Sequence, residues 1–267
     1  MIDVNDRSQR GCVYTVLTGN YEALCEAGIA RNSSWDFICL TDNPQLRSET
    51  WQVRKVEFPF AHDAGRNSRI PKACPHRYFS DYDISLYIDN SVQLTQPPER
   101  IVKDVFGAGD WNWGVLQHSF RDSVRDEFNR VLRLNLDDPS RVIEQFNSYK
   151  RASPEVLDAP PLWAGLIVRK HMLTGVAEAG EHWLAQILRY SRRDQLSLPY
   201  SLRHSAVRLK TVQADNRASA FHVWNNKQES RNRHMRKAGW KTMLPPWVVS
   251  YYTLARAARR MLDIRLK

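Results

Sequence analysis

Residues 84–91 read Ile-Ser-Leu-Tyr-Ile-Asp-Asn-Ser, and the junction inside that octet decides the fold. Ile84 to Ile88 (ISLYI) is an apolar run of the length and character of a buried strand. It passes without a spacer into Asp89, Asn90 and Ser91, which favour turns and carry oxygen ligands. Upstream, Cys12 to Thr18 (CVYTVLT) predicts a first strand closing at Gly19 and Asn20, and Trp35 to Thr41 (WDFICLT) a second closing at Asp42, Asn43 and Pro44. Between them, Leu24, Ala27 and Gly28 give residues 21–31 helical spacing. Trp51 to Phe58 predicts a third strand, and Ile70 to Phe79 a weak helix interrupted by Pro71 and Pro75. Downstream, residues 97–150 read as mostly helical and polar, Leu162 to Val168 as strand, and Glu181 to Tyr190 as an amphipathic helix. Strands alternating with helices, with polar residues at strand ends, imply an open α/β sheet whose ligand lies beyond the carboxyl ends.

Composition bounds the rest. The chain has 267 residues, 42% of them hydrophobic, enough for one sizeable core. No run approaches the roughly 18 apolar residues of a membrane span, and the start MIDVNDRSQR is polar and acidic where a signal peptide is basic and then apolar. Cys12, Cys25, Cys39 and Cys74 form no CxxC pair and read as reduced, buried small hydrophobes. The expectation is a cytoplasmic protein. The net charge of +10 is concentrated in residues 227–267, where eleven Lys and Arg face only Glu229 and Asp263. The chain therefore divides into a nearly neutral domain, 1–226, and a basic tail, 227–267. In the tail, Trp247, Tyr251, Leu254, Ala255, Ala258, Met261 and Leu262 recur at helical spacing opposite Arg256, Arg259 and Arg260. Such a helix either lies in an anionic membrane interface or docks on the protein's own body. Nucleic acid is not expected, because no recognition module accompanies the charge.

Several residues carry chemistry. Asp89 stands where a carboxylate can hold a hard cation such as Mn²⁺ or Mg²⁺, with Asn90 and Ser91 adding oxygens, although an Asp after a strand is also an ordinary turn former. Asp194, between Arg193 and Gln195, reads as a base or a hydroxyl-orienting carboxylate, or as half of an ion pair. His222, in AFHVW, reads as a packed ring or a metal ligand. His118 with Arg121, spaced to share a helical face, and His76 are secondary candidates.

The segments VYTVLTGNY, WDFICLTDN, RIPKACPHRYF, DISLYIDNSVQL, HSFRDSVRDEF, LWAGLIVRKH and HWLAQILRYSRRDQLSLPY together resemble the TOD1/MUCI70-type glycosyltransferase-like family of bacterial polysaccharide loci and plant mucilage and wall proteins, over residues 12–202. The resemblance implies a GT-A-type α/β fold, with a Rossmann-like nucleotide-binding half on a mixed central sheet. It also implies transfer of a sugar from a nucleotide-diphosphate donor, a UDP-sugar, to a polysaccharide or lipid-linked glycan. The motif order is similar to that of the glycogenin-like retaining transferases, which implies an Asp-x-Asp at Asp89 to Ser91, a small-residue pair at Ala164 and Gly165, an Asp-Gln pair at Asp194 and Gln195, and a metal-binding His at His222. Ser91 stands where a second Asp is usual, which leaves a metal-independent site open. By the same resemblance Thr15, Asn20, Tyr21 and Asp42 would touch the nucleotide, while Arg69 and Lys72 would balance the diphosphate. Asp194 would address the acceptor.

Two rivals accompany that reading. One is a metal-dependent hydrolase of a nucleotide-sugar or lipid substrate. The other is a non-catalytic adaptor that binds anionic membrane through the tail.

Overall fold

In the computed structural model, residues 10–20 and 22–225 are described. The tail, 227–267, and Tyr21 lie outside the described residues. Strand β1 (Gly11–Leu17) is buried along its whole length, because it pairs in parallel with β2 (Asp36–Thr41) on one side and β4 (Ile84–Ile88) on the other. Strand β3 (Gln52–Lys55) extends the parallel set beyond β2. Strand β7 (Leu162–Arg169) then runs antiparallel to β4 and to β6 (Trp113–Gln117), and β8 (Leu209–Val212) closes the far edge parallel to β6. The seven-stranded order is β3-β2-β1-β4-β7-β6-β8. This is the mixed α/β arrangement expected, with the parallel Rossmann-like half formed by β1 to β4. A separate antiparallel pair joins β5 (Val92–Leu94) to β9 (His222–Trp224) and so ties the end of the domain to the segment following Asp89.

Both faces of the large sheet are covered, which is why its central strands read as continuous apolar runs. Along β1, Cys12, Tyr14 and Val16 enter one core, with α1 (Ala64–Ala73) and α6 (Thr174–Arg189), while Val13 and Leu17 enter the other, with Trp51, Phe106 and Trp111. Helix α6 comes close enough to α1 that a Cβ on Gly180 would lie 2.4 Å from the Ala73 carbonyl oxygen. The short helix α2 (Pro98–Ile101) adds Ile101 to the second core, and a third cluster packs α3 (Val124–Arg133), α4 (Pro139–Ala152) and α5 (Pro154–Asp158) around Phe128, Phe146 and Tyr149.

Three expectations are corrected. Residues 22–27 are not helical, and only a 3-10 turn at Gly28–Asn32 forms. Their backbone is engaged by distant side chains instead: Asn90 accepts from Cys25 N and donates to Ala23 O, and Trp51 Nε1 donates to Cys25 O. The helix at Ile70 begins six residues earlier, capped by Asp63, and ends at Ala73. The stretch expected to be mostly helical contains β6, an interior strand of the sheet.

Candidate active site

Strand order turns at β1: β2 and β3 lie to one side and β4 to the other, and the crevice beyond the carboxyl ends at such a point is where open α/β sheets bind ligands. The turn leaving β1 places Gly19 and Asn20 at positive φ, +71° and +50°. Both Asp42 oxygens accept the Gly19 N–H, at 3.0 and 3.1 Å, so the ends of β1 and β2 are locked together. Asn20 accepts from Asn43 Nδ2 at 2.9 Å. Asp89 ends β4, its N–H bonded to Gly165 O at 2.9 Å. The predicted pair Ala164 and Gly165 thus lies beside the predicted Asp89.

Asp89 belongs to a cluster of charges that the sequence scatters and the fold gathers. Lys72, in the last turn of α1, has its side chain only 2% exposed, with Nζ 3.1 Å from Asp89 Oδ1 and 2.6 Å from Asp194 Oδ2. Arg69, one turn earlier on the same helix face, reaches Asp194 Oδ2 through Nε at 3.2 Å. Tyr87 donates to Asp89 Oδ1 at 2.6 Å, and the Lys72 ammonium lies 4.7 Å from the centre of its ring. Burial raises the Asp194 pKa, but Lys72 and Arg69, with Arg193 behind them, outweigh burial and hold the carboxyl well below the usual carboxylate range. Burial and the adjacent Asp89 push the Tyr87 hydroxyl well above its ordinary value, so it remains a donor. Asp89 is the open member, with 38% of its side chain exposed.

Lys72 is held in place from behind. Arg169, fully buried on β7, donates to Lys72 O at 2.8 Å and Ala73 O at 3.2 Å and also bonds the Tyr14 hydroxyl. Its guanidinium stacks 4.8 Å from the Trp113 ring. These contacts satisfy the carbonyls that the end of α1 leaves free and place a cation where the helix dipole favours one. Sequence reasoning missed Arg169 and Tyr87. The signals were an arginine ending an otherwise apolar strand and a tyrosine two residues before Asp89, hence on its face of the strand.

Other expected residues fall elsewhere. Thr15 is fully buried in mid-strand, paired with Cys39, and cannot touch a nucleotide. Asn90 spends its amide on the 23–25 backbone, and Ser91 Oγ accepts from Trp224 Nε1 at 3.1 Å. His222 is buried against Trp163, with its ring nitrogens 2.7 Å from Ser219 Oγ and 3.2 Å from Asn216 O. Asp89, Ser91 and His222 therefore do not form a set of free ligands, and a divalent ion does not fit them as expected. Among the described residues, Cys74, His76 and Glu181 bring three metal-capable atoms within 4.8 Å of one another, but Arg77 already pairs with Glu181. His76 bonds that same Glu181, at 2.8 Å. Asp194 is also corrected as a general base: a side chain 7% exposed, flanked by two cations, takes a proton poorly at neutral pH. Gln195 donates its N–H to Asp194 Oδ1 at 3.0 Å.

A cleft of about 510 Å³ opens at the carboxyl ends of β6 and β8, lined by Gln117, His118, Ser119, Phe120, Gln213 and Asp215. It lies on the same edge of the sheet as Asp89, with β7 between them. His118 and Arg121 do not share a helical face: His118 follows β6 directly, and Arg121 precedes α3 and pairs with Glu127 at 3.2 Å. Burial, helped by Arg121, lowers the His118 pKa to about 4, so the ring is neutral at pH 7.

The chain is similar to the apo structure of the WbbM bifunctional glycosyltransferase, at 10% identity and a TM-score of 0.42, over 77% of this chain and 39% of that one. It spans well under half of that protein's length. No curated protein matches the sequence. The family model for the TOD1/MUCI70, glycosyltransferase-like domain matches residues 39–229, a span that runs from β2 through Asp89 and Asp194 to β9. On that match the chain belongs to the TOD1/MUCI70 glycosyltransferase-like family.

Proposed function

We propose that the protein transfers a sugar from a nucleotide-diphosphate donor, a UDP-sugar, to a polysaccharide or lipid-linked glycan. The observation that carries this reading is the gathering of Arg69, Lys72, Asp89 and Asp194 at the turning point of the sheet, inside a glycosyltransferase-like domain. The nucleotide would lie beyond β1 and β2, against Gly19, Asn20 and Asp42, with its diphosphate toward Arg69. Fixed cations stabilise the charge that develops on a departing diphosphate. The acceptor would enter by the cleft at Gln117 to Phe120, whose amides and ring suit a sugar's hydroxyls and apolar face. Retention of anomeric configuration remains the preferred outcome, supported by the weak basicity of Asp194. The basic tail would hold the enzyme at the cytoplasmic face of the membrane, where lipid-linked acceptors are assembled.

The test is a thermal-shift titration against UDP, GDP, CMP and ADP, repeated on Arg69→Met. A ligand at 100 times its dissociation constant adds about 2.7 kcal/mol to native stability, so selective stabilisation by UDP that weakens in the variant is the expected result. Sugar release with acceptor omitted, at the rate seen with acceptor present, would favour the hydrolase reading instead. A protein that responds to none of the four nucleotides would be better described as the adaptor.

A further inference from the structure

The ammonium of Lys72 sits between the two carboxylates that a divalent ion would otherwise bridge, 3.1 Å from Asp89 and 2.6 Å from Asp194. Three features keep it there. The backbone of Lys72 is clamped by Arg169 and by the Tyr14 hydroxyl. Its charge rests on the Tyr87 ring. Its side chain is 2% exposed, so withdrawing it would leave the buried Asp194 facing Asp89 with Arg69 as its remaining paired cation. The remaining oxygen and nitrogen ligands that a metal site here would need are committed, Ser91 to Trp224 and His222 to Ser219 and Asn216. One open carboxylate, that of Asp89, is a poor site for Mn²⁺ or Mg²⁺, which require several oxygen ligands.

We infer that the chain supplies its own cations at this site: Arg69 at the mouth holds the donor's diphosphate, Lys72 beneath it neutralises Asp89 and Asp194, and no divalent ion takes part. This inference rests on the nucleotide-sugar reading above and specifies how its charge is managed. Arg69 suits the contact because its side chain is 21% exposed and a guanidinium meets phosphate oxygens in a bidentate fork.

The experiment is calorimetric titration of the full chain with UDP in EDTA and again in Mn²⁺, with Mn²⁺ binding followed separately by electron paramagnetic resonance in the presence of UDP. Agreement of the two dissociation constants within about twofold, no protein-bound Mn²⁺ signal, and at least tenfold weaker binding by Arg69→Met are expected. Arg69 is partly exposed, so this variant does not depend on tolerance of a core substitution. Lys72→Met, folded as judged by circular dichroism, should gain Mn²⁺ binding, because the two carboxylates are then free to share an ion. UDP binding that Mn²⁺ tightens tenfold or more in the unaltered protein would overturn the inference while leaving the transferase reading standing. Absence of UDP binding in both conditions would overturn the two together.

Discussion

Asp194 is a residue whose worth depends on its neighbours. Taken out of water alone it would be costly, and with Lys72 at 2.6 Å and Arg69 at 3.2 Å it becomes the centre of a buried ion cluster. Replacing it by asparagine leaves both cations facing a neutral group, and Asp194→Asn should lower stability at pH 7 by on the order of 3 kcal/mol, the cost of breaking a buried pair. The pH dependence follows from the direction of its shift. A carboxyl whose folded pKa is depressed contributes stability above its unfolded value of about 3.9 and loses it as the pH falls toward the folded one. Urea denaturation of the two proteins should therefore show a gap that is full at pH 7 and narrows below about pH 4. A gap that stayed constant down to pH 2 would mean the carboxylate is not what the cations stabilise. Asp89, Asp194, Arg69 and Lys72 were each visible in the sequence as polar residues near strand or helix ends. Their joint geometry was not, because it depends on side chains meeting across long separations in the chain. Thr15 illustrates the reverse error: a polar residue in an apolar strand looks like a contact until the pairing shows it in mid-sheet.

Helix α1 is the element that converts a sheet edge into a charged site, and it does so despite carrying Pro71 in its last turn. Proline removes a donor within the helix, and the end of α1 is secured instead by the Tyr14 hydroxyl, 3.2 Å from Pro71 O, and by Arg169. Arg169→Met keeps much of the volume but leaves the Lys72 and Ala73 carbonyls without the guanidinium. Tyr14 still donates to Lys72 O, so Ala73 O is the orphan. At about 1–3 kcal/mol for a buried orphan, the variant should unfold at least about 1 kcal/mol more readily, and its UDP affinity should fall because Lys72 is less firmly fixed. Stability loss with unchanged affinity would show that α1 holds its end without the clamp. The strands of the parallel half were legible because burial on both faces writes itself as an uninterrupted apolar run. Strand β6 was not, since Gly114 lies near its centre and the flanking residues are polar. The segment after β1 had helical spacing, yet Asn90 and Trp51 compete successfully for its backbone, an outcome that local pattern cannot reveal.

At the scale of the whole molecule, charge is divided more sharply than structure. Eleven cations in residues 227–267 against two acids give that segment nearly all of the net +10. The full chain should co-sediment with phosphatidylserine vesicles and not with neutral ones, and should be released as salt rises from about 0.1 to about 1 M, where the Debye length shrinks from about 10 to about 3 Å. Retention on anionic vesicles at high salt would point to apolar insertion as the dominant force. The order of the sheet bears on how the chain is made. Strand β6 has no partner in the parallel half and is joined to it only through β7, which the ribosome delivers some fifty residues later. Until Leu162–Arg169 has emerged, the open flank of β4 is an unpaired edge, the kind of surface that recruits stray strands. A nascent chain halted before β7 should therefore be a client for chaperones and prone to aggregate, and the protein's yield in a cell would be governed by how quickly one reversed strand arrives.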